Sequence, residues 1–121
     1  MVKALLDTNI LVDYLRGLPQ AKDELNLHQD KAISAVTWME VLVGTPPGFT
    51  EPTRRFLDGF RLIEVDRTVA QRAVELRQAH RMKLPDAIVW ASAQVTDRLL
   101  VTRDMKDFPS NNPGVRMPYL V

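Results

Sequence analysis

Four acidic residues are spaced along the chain where an α/β protein places its chemistry. Asp7 directly follows the apolar run of residues 2–6, and Asp104 follows the stretch "LLVTR". Asp86 stands at a predicted helix start in "KLPDAIVWASA", and Glu40 lies in a segment that is apolar on nearly every side. Each acid has an ordinary explanation by itself, because Asp commonly caps a helix or stabilises its first turn. Only the set as a whole points to chemistry.

Glu40 is the acid whose position is hardest to explain by capping. The surrounding helix, "VTWMEVLV", is so apolar that we expect its carboxylate to be at least partly buried. Burying an unpaired carboxylate costs several kcal/mol, so Glu40 would need a cation, a hydrogen-bond donor or a proton. The alternative is a glutamate that reaches solvent or pairs with an arginine.

Together the four acids predict a site for divalent cations. Converging carboxylates repel each other, and oxygen ligands favour Mg²⁺, with Mn²⁺ as the alternative. The chain has no cysteine and two histidines, so thiolate chemistry is excluded. Two such ions about 3.5–4 Å apart can stabilise both the attacking and the leaving oxygens of phosphodiester hydrolysis. Hydrolysis of phosphodiesters is therefore the expected chemistry if the acids converge.

A parallel sheet would bring these acids together. Short apolar runs predict strands at residues 2–6, 32–34, 62–65, 99–101 and 115–117. Helical spacing and capping residues predict helices at residues 10–15, 20–27, 36–43, 52–58 and 87–95, with one more beginning after Asp66. This alternation predicts an α/β fold with a mainly parallel central sheet of four to five strands and helices on both faces. Ligands of such sheets bind beyond the carboxyl ends of the strands.

Composition narrows the class of protein. A chain of 121 residues with 45% hydrophobic and 26% charged residues suits one globular domain, which we expect to span residues 1–121. Its formal net charge of +1 favours no partner by itself, but setting aside the four acids leaves 11 acidic residues against 16 basic ones. No apolar run approaches the roughly 20 residues that span a bilayer. We therefore expect a cytoplasmic protein without a membrane partner.

Four segments of the chain resemble the PIN domain family, and most closely its VapC-type toxins of toxin–antitoxin modules. They are "LLDTNILVDYL", "ISAVTWMEVLVG", "LPDAIVWASA" and "LVTRDMKDF", which together extend over almost the whole chain. The resemblance implies a small α/β domain and a Mg²⁺- or Mn²⁺-dependent ribonuclease site. It also implies an RNA substrate, a cognate antitoxin and a homodimer.

The resemblance also implies roles for individual residues. The catalytic and metal-binding positions that it implies are Asp7, Glu40, Asp86 and Asp104. The fourth of these is the least fixed, and Asp107 is the alternative for its role. The polar positions that it implies as supports for the ligands are Thr8, Asn9, Thr102 and Asp107. Thr8 and Asn9 are also expected to support the start of the next helix.

Other interpretations stay open. A non-catalytic module could use the same acids to bind metal for stability or to form an interaction surface. A phosphotransfer domain is disfavoured, because the first strand is followed by Asp7-Thr8-Asn9 and not by Asp-x-Asp. We expect His80 at an exposed or core-edge position, and Trp38 and Trp90 in the core.

Overall fold

Five strands form one parallel sheet in the computed structural model, which describes residues 3–104, 106–109 and 111–120. The strands are β1 (Ala4–Leu6), β2 (Lys31–Ser34), β3 (Arg61–Ile63), β4 (Leu99–Val101) and β5 (Val115–Arg116). Their order is β3-β2-β1-β4-β5, and every pair of neighbours is parallel. The predicted sheet is confirmed. Val2, which we placed in the first strand, lies outside the described residues.

Helices connect the strands. They are α1 (Thr8–Leu15), α2 (Pro19–Leu27), α3 (Ala35–Val43), α4 (Thr50–Leu57), α5 (Arg67–His80) and α6 (Leu84–Val95). The predicted caps are present: Ser34 accepts from the Val36 N–H at 3.1 Å, and Asp66 accepts from the Val69 N–H at 2.9 Å. Each helix in the described part of the chain is too short or too polar to cross a membrane.

The third strand ends earlier than predicted. We expected residues 62–65, whereas β3 ends at Ile63. This strand lies at the edge of the sheet, and Leu62 and Val65 are exposed. The apolar run therefore does not show where strand pairing ends, because an edge strand has a pairing partner on one side only.

Two hydrophobic clusters lie on opposite faces of the sheet. Leu5 packs into the cluster formed with α5 and α6, whereas Ala4 and Leu6 pack into the cluster formed with α1, α2 and α4. This alternation follows from the two-residue period of a strand. The strand that carries Asp7 at its end is therefore buried on both sides and held rigidly.

The strand order changes direction beside β1. The chain runs from β1 outward to β2 and β3 and then returns to β4 on the other side of β1. Leu6 pairs with Val101, and the Asp7 N–H donates to the Val101 carbonyl at 2.9 Å. Asp7 and Thr102 therefore stand side by side, at the switch point where open α/β sheets bind their ligands.

Candidate active site

Asp7 is buried at the end of β1 and has several hydrogen-bond partners. Its Oδ1 accepts from the Thr8 N–H at 2.8 Å, so it also caps α1. Its Oδ2 accepts from the Thr102 hydroxyl at 2.8 Å and from Asn9 Nδ2 at 3.3 Å. Asp7 is only 6% exposed. The capping role and the site role that the sequence left as alternatives are therefore combined in one side chain.

Burial sets the protonation of Asp7. It raises the pKa of this carboxyl to about 6, and repulsion by Glu40 and Asp104 adds to the rise. The hydrogen bonds from Thr102 and Thr8 work in the opposite direction, because they stabilise the charged form. Asp7 is thus mostly ionised at neutral pH, and no positive charge among the described residues beside it compensates its negative charge.

Glu40 is exposed, so our prediction that it is at least partly buried is wrong. The helix α3 packs through Val36 and Val41, while Met39 and Val43 also face solvent. An apolar set of neighbours therefore did not indicate burial, because this short helix covers the core with one side only.

Thr8 links Glu40 to the rest of the site. Its hydroxyl donates to Glu40 Oε1 at 2.6 Å, and the Thr37 hydroxyl lies 3.1 Å from the same oxygen of Thr8. Thr8 follows Asp7 directly, so one turn of chain orients two candidate ligands. The Thr8 hydroxyl therefore holds the Glu40 side chain, and its role as a support for a metal ligand stays a prediction.

Asp86 lies half-buried in the first turn of α6. Burial raises its pKa to about 7, and repulsion by Asp107 and Asp7, then by Asp104, contributes further. A carboxyl so shifted titrates near neutral pH and is stabilised by any nearby positive charge. The charges of Asp86 and Asp7 therefore repel each other, while the convergence of all four acids stays a prediction.

Asp104 and Asp107 share a turn after β4. Burial favours a raised pKa for Asp104, but hydrogen bonds from the Asp107 carboxyl and from the N–H groups of Asp107 and Lys106 outweigh it and lower the pKa. The pKa of Asp107 is raised, first by its hydrogen bond to Asp104 and then by burial. Of the two, Asp104 therefore keeps its charge to the lower pH.

Thr102 connects this turn to Asp7. Its hydroxyl oxygen accepts from the Asp104 N–H at 3.0 Å while its proton is donated to Asp7. Asn9 Nδ2 lies 3.3 Å from the same hydroxyl oxygen. The polar residues predicted to support the ligands therefore form one hydrogen-bonded group that joins the ends of β1 and β4.

The donor set fits a divalent cation with retained water. In the described ranges, no three of the His, Asp and Glu side chains are close enough to hold one metal ion together. Mg²⁺ is usually bound by one or two carboxylates and keeps several waters, so three direct ligands are not required. The raised pKa values of Asp7 and Asp86 mark carboxylates whose charge such an ion would stabilise.

Asp13 is a site neighbour that the sequence analysis missed. It is buried on α1, where Arg103 Nε donates to its Oδ2 at 2.5 Å and the Tyr119 hydroxyl donates to the same oxygen at 2.8 Å. Burial favours a raised pKa for Asp13, but these hydrogen bonds outweigh it and lower the pKa. Its position between the apolar residues Val12 and Tyr14 was the sequence feature that could have indicated a buried acid.

The predicted positions of His80 and Trp90 agree with the structure, and that of Trp38 agrees in part. His80 is exposed at the end of α5, and its ring centroid lies 5.0 Å from that of Trp90. Trp90 is fully buried in the core. Trp38 is only partly buried, and the guanidinium of Arg54 lies 5.8 Å from the centre of its ring.

A groove opens beside Glu40. Its volume is 490 Å³, and Val12, Leu15, Val41 and Phe49 provide much of its apolar lining. Arg16 and Glu40 add charged groups. Because Glu40 lines the groove and is also one of the four candidate ligands, anything bound in the groove lies next to the candidate active site.

Known proteins resemble this chain in sequence, in fold or in both. Ribonuclease VapC10 of Mycobacterium tuberculosis is 32% identical over an alignment that covers 87% of this chain and 85% of that protein. A chain in a toxin-antitoxin complex from Klebsiella pneumoniae has a TM-score of 0.92 and 44% identity, covering 98% of this chain and 100% of that one. A chain of DNA-bound VapBC from Salmonella typhimurium has a TM-score of 0.77 at 21% identity, covering 96% of each chain, and so shares the fold alone.

The match to a protein family agrees with the geometry. Residues 4–110 match the PIN domain, a range that includes every one of the four candidate acidic ligands. The expected resemblance is confirmed, and the chain belongs to the PIN domain family.

Proposed function

We propose that this protein is a metal-dependent endoribonuclease and the toxin of a toxin–antitoxin system. The observation that supports the proposal is the burial of Asp7 at the carboxyl end of β1, where it interacts with the charges of Glu40 and Asp104 and where Asp86 interacts with Asp7 and Asp104. The ribonuclease name of the VapC10 relative supports the reaction, and the toxin-antitoxin complex from Klebsiella pneumoniae supports the biological role. The substrate is RNA, and the site of action is the cytoplasm.

One or two of the four acids would hold Mg²⁺, with Mn²⁺ as the alternative, and water would complete its coordination. The bound ion supplies Lewis-acid stabilisation of charge on the phosphodiester and activates water for attack. Asp7 and Asp86 provide carboxylates whose raised pKa values reflect unneutralised charge. The pKa of Asp104 is lowered while that of Asp107 is raised, so Asp104 keeps its charge to a lower pH and is our first choice as the fourth ligand.

The neutral polar residues keep these carboxylates in place. Thr102 and Asn9 donate to Asp7, and Thr8 donates to Glu40. Each contact fixes the rotamer of a candidate ligand before a cation binds. Hydrogen bonds of this kind orient metal ligands, and their loss typically costs about 10–100-fold in metal affinity or activity.

The groove beside Glu40 is our candidate site for the antitoxin. Leu15 and Phe49 are exposed apolar side chains in its lining, and Arg16 adds a positive charge that an acidic group on the partner would complement. An antitoxin segment in this groove would lie against Glu40. It would therefore inhibit the toxin by covering one of the four candidate ligands.

We also propose a homodimer. Val43, on the outer side of α3, is 86% exposed, and Met39 lies one turn before it on the same helix. A second copy of the chain would remove this apolar surface from water. Sedimentation of the purified protein and its Val43→Glu variant tests this: we expect a dimer and a monomer respectively, and a monomeric wild type would contradict the proposal.

The proposed reaction is tested with purified, antitoxin-free protein. Total cellular RNA is incubated with wild-type protein in Mg²⁺, Mn²⁺ or EDTA, and with the Asp7→Asn variant in Mg²⁺. We expect cleavage with either metal, none in EDTA, and none by the variant. Asp97→Asn is the matched control, because Asp97 is an exposed aspartate beyond the opposite end of β4.

The pattern of results identifies the class of protein. Cleavage by wild type and Asp97→Asn but not by Asp7→Asn supports a carboxylate-metal ribonuclease. Equal cleavage by Asp7→Asn would exclude the proposed site. If the wild type binds Mn²⁺ but cleaves no RNA in the sample, a non-catalytic metal-binding module becomes the better explanation.

A further inference from the structure

Two polar side chains on α1 face the segment that follows β4. Asn9 and Asp13 are one helical turn apart, and both contact Arg103. Asn9 Oδ1 accepts from the Arg103 backbone N–H at 3.3 Å, while Arg103 Nε and Nη2 donate to the two oxygens of Asp13 at 2.5 and 3.1 Å. This residue is therefore held by α1 through its backbone and its side chain at once.

The neighbours of Arg103 are the residues that matter for the candidate site. Thr102 precedes it and donates to Asp7, and Asp104 follows it and donates its N–H to Thr102. A displacement of Arg103 would therefore move a support of one candidate ligand and the backbone of another. The contact with Asp13 is the strongest that Arg103 makes, since it joins opposite charges through two hydrogen bonds.

Asp13 itself is not available to bind a cation. Both of its oxygens accept from Arg103, and the Tyr119 hydroxyl donates to Oδ2 at 2.8 Å. Its side chain is buried, so replacing it leaves the arginine without its counter-charge. Removing one partner of such a pair leaves an uncompensated charge, so the pair resists displacement of Arg103.

We propose that Asp13 is a positioning residue that acts through Arg103 to hold Thr102 and Asp104 in the arrangement needed to bind the catalytic cation. The role of this arrangement in catalysis rests on the proposed function. Asp13 touches neither the described candidate ligands nor, in this proposal, the RNA.

Asp13→Asn tests the proposal, and Glu24→Gln is its matched control. Glu24 is an equally buried acid on the next helix, and it accepts two hydrogen bonds from Arg116, at 2.8 and 2.9 Å. Each substitution removes one buried negative charge that pairs with an arginine. The first pair includes a side chain of the segment that carries Asp104. Arg116 contacts this segment through its backbone carbonyl, which accepts from the Thr102 N–H at 3.0 Å and is not altered by Glu24→Gln.

Two quantities are measured in both variants. One is the amide hydrogen-exchange rate of Arg103 and Asp104, and the other is the Mn²⁺ concentration that gives half-maximal RNA cleavage. We expect Asp13→Asn to speed the amide exchange and to raise the required Mn²⁺ concentration, each by about tenfold or more. A change of this size follows from the loss of a hydrogen bond to a charged group. Glu24→Gln should leave both close to wild type at equal global stability.

Arg103→Gln provides a second route in case Asp13→Asn does not fold. Arg103 is half-exposed, so its replacement removes the same ion pair without leaving a large cavity. We expect it to produce the same two changes, and the double variant should be no worse than either single one because the two residues act as one unit.

The outcomes separate this inference from the proposed function. Equal exchange rates at Asp104 in the Asp13→Asn and Glu24→Gln variants would overturn the positioning role, whatever the activity. A wild type that neither binds Mn²⁺ nor cleaves RNA would overturn the proposed function, while faster exchange in Asp13→Asn alone would still support the positioning of this segment.

Discussion

The Thr102 hydroxyl donates a hydrogen bond of 2.8 Å to Asp7, although 95 residues separate the two along the chain. The same hydroxyl oxygen accepts the Asp104 N–H. One small side chain thus sets the relative position of two candidate ligands at the ends of adjacent strands.

Replacing Thr102 with Val should impair the site without unfolding the protein. Val has nearly the same shape but no hydroxyl, so Asp7 loses a hydrogen bond that now lowers its pKa. We expect the pH at which RNA cleavage is half-maximal to rise, and cleavage at neutral pH to fall about 10–100-fold. A pH–rate profile of the two proteins measures both effects.

Thr102→Ser is the control for that substitution. Serine keeps the hydroxyl and should retain the wild-type profile, apart from a small loss of packing because Thr102 is buried. Equal profiles for the Val variant and wild type would show that the hydrogen bond to Asp7 has no functional weight.

Stability should fall as pH rises from about 4 to 8 when metal is removed. The folded protein holds protons on Asp7 and Asp86 more tightly than the unfolded chain, since their pKa values are about 6 and 7 against an ordinary value of 3.8. The stabilisation is complete below the unfolded pKa and is lost as pH rises through the folded values. For Asp7 it amounts to about 3 kcal/mol.

Thermal unfolding in EDTA at several pH values measures this dependence. We expect a higher Tm at pH 5 than at pH 8, a smaller difference in Mg²⁺, and a smaller difference in Asp7→Asn. Below about pH 4 the trend should reverse, because the lowered pKa values of Asp13 and Glu24 make their protonation destabilising. A Tm that rises steadily from pH 5 to 8 in EDTA would contradict the raised pKa values.

Substituting Leu15 with Lys should weaken inhibition by the antitoxin. Leu15 lines the groove beside Glu40 and is 44% exposed, so a charge there costs the free protein little. In the complex the same charge would be desolvated against an apolar partner. We expect at least a tenfold higher antitoxin concentration for half-inhibition of RNA cleavage, which corresponds to about 1.4 kcal/mol.

Val74→Lys is the comparison for the groove variant. Val74 is similarly exposed, but it lies on α5 and outside the groove. It should leave inhibition unchanged. If both variants are inhibited like wild type, the antitoxin binds elsewhere.

Trp90→Ala should destabilise the protein strongly. Trp90 is 2% exposed and packs edge to face against Phe108, with ring centroids 6.2 Å apart. Removing a large buried aromatic side chain typically costs about 3–5 kcal/mol. Urea unfolding should show this loss, whereas Trp38→Ala, at a partly buried position, should cost clearly less.

The sequence was informative about the sheet and the acids at strand ends. Asp7 and Asp104 could be predicted to lie at the same edge of the sheet, because the carboxyl ends of parallel strands share one edge. This prediction needs only an acid after each apolar run and no knowledge of packing. The caps Ser34 and Asp66 were predictable for a similar reason, since capping depends on residues only two or three positions away.

Long-range packing limited the rest of the prediction. The burial of Glu40 was misjudged because its apolar neighbours did not reveal which side of α3 meets the sheet. Asp13 was missed because its partner Arg103 lies 90 residues away, and no local pattern links an acid to an arginine at that distance. Asp13, and not Glu40, is the acid that is buried and paired with an arginine.

The strand order has a consequence for how the protein is made. β1 and its neighbour β4 pair in the sheet, but β4 is synthesised more than 90 residues after β1. Contacts between such distant segments form late in folding, because a long loop must close first. A partly synthesised chain therefore has Asp7 but no assembled site. If the protein is the proposed ribonuclease, we therefore expect the growing chain to be inactive beside the messenger that encodes it.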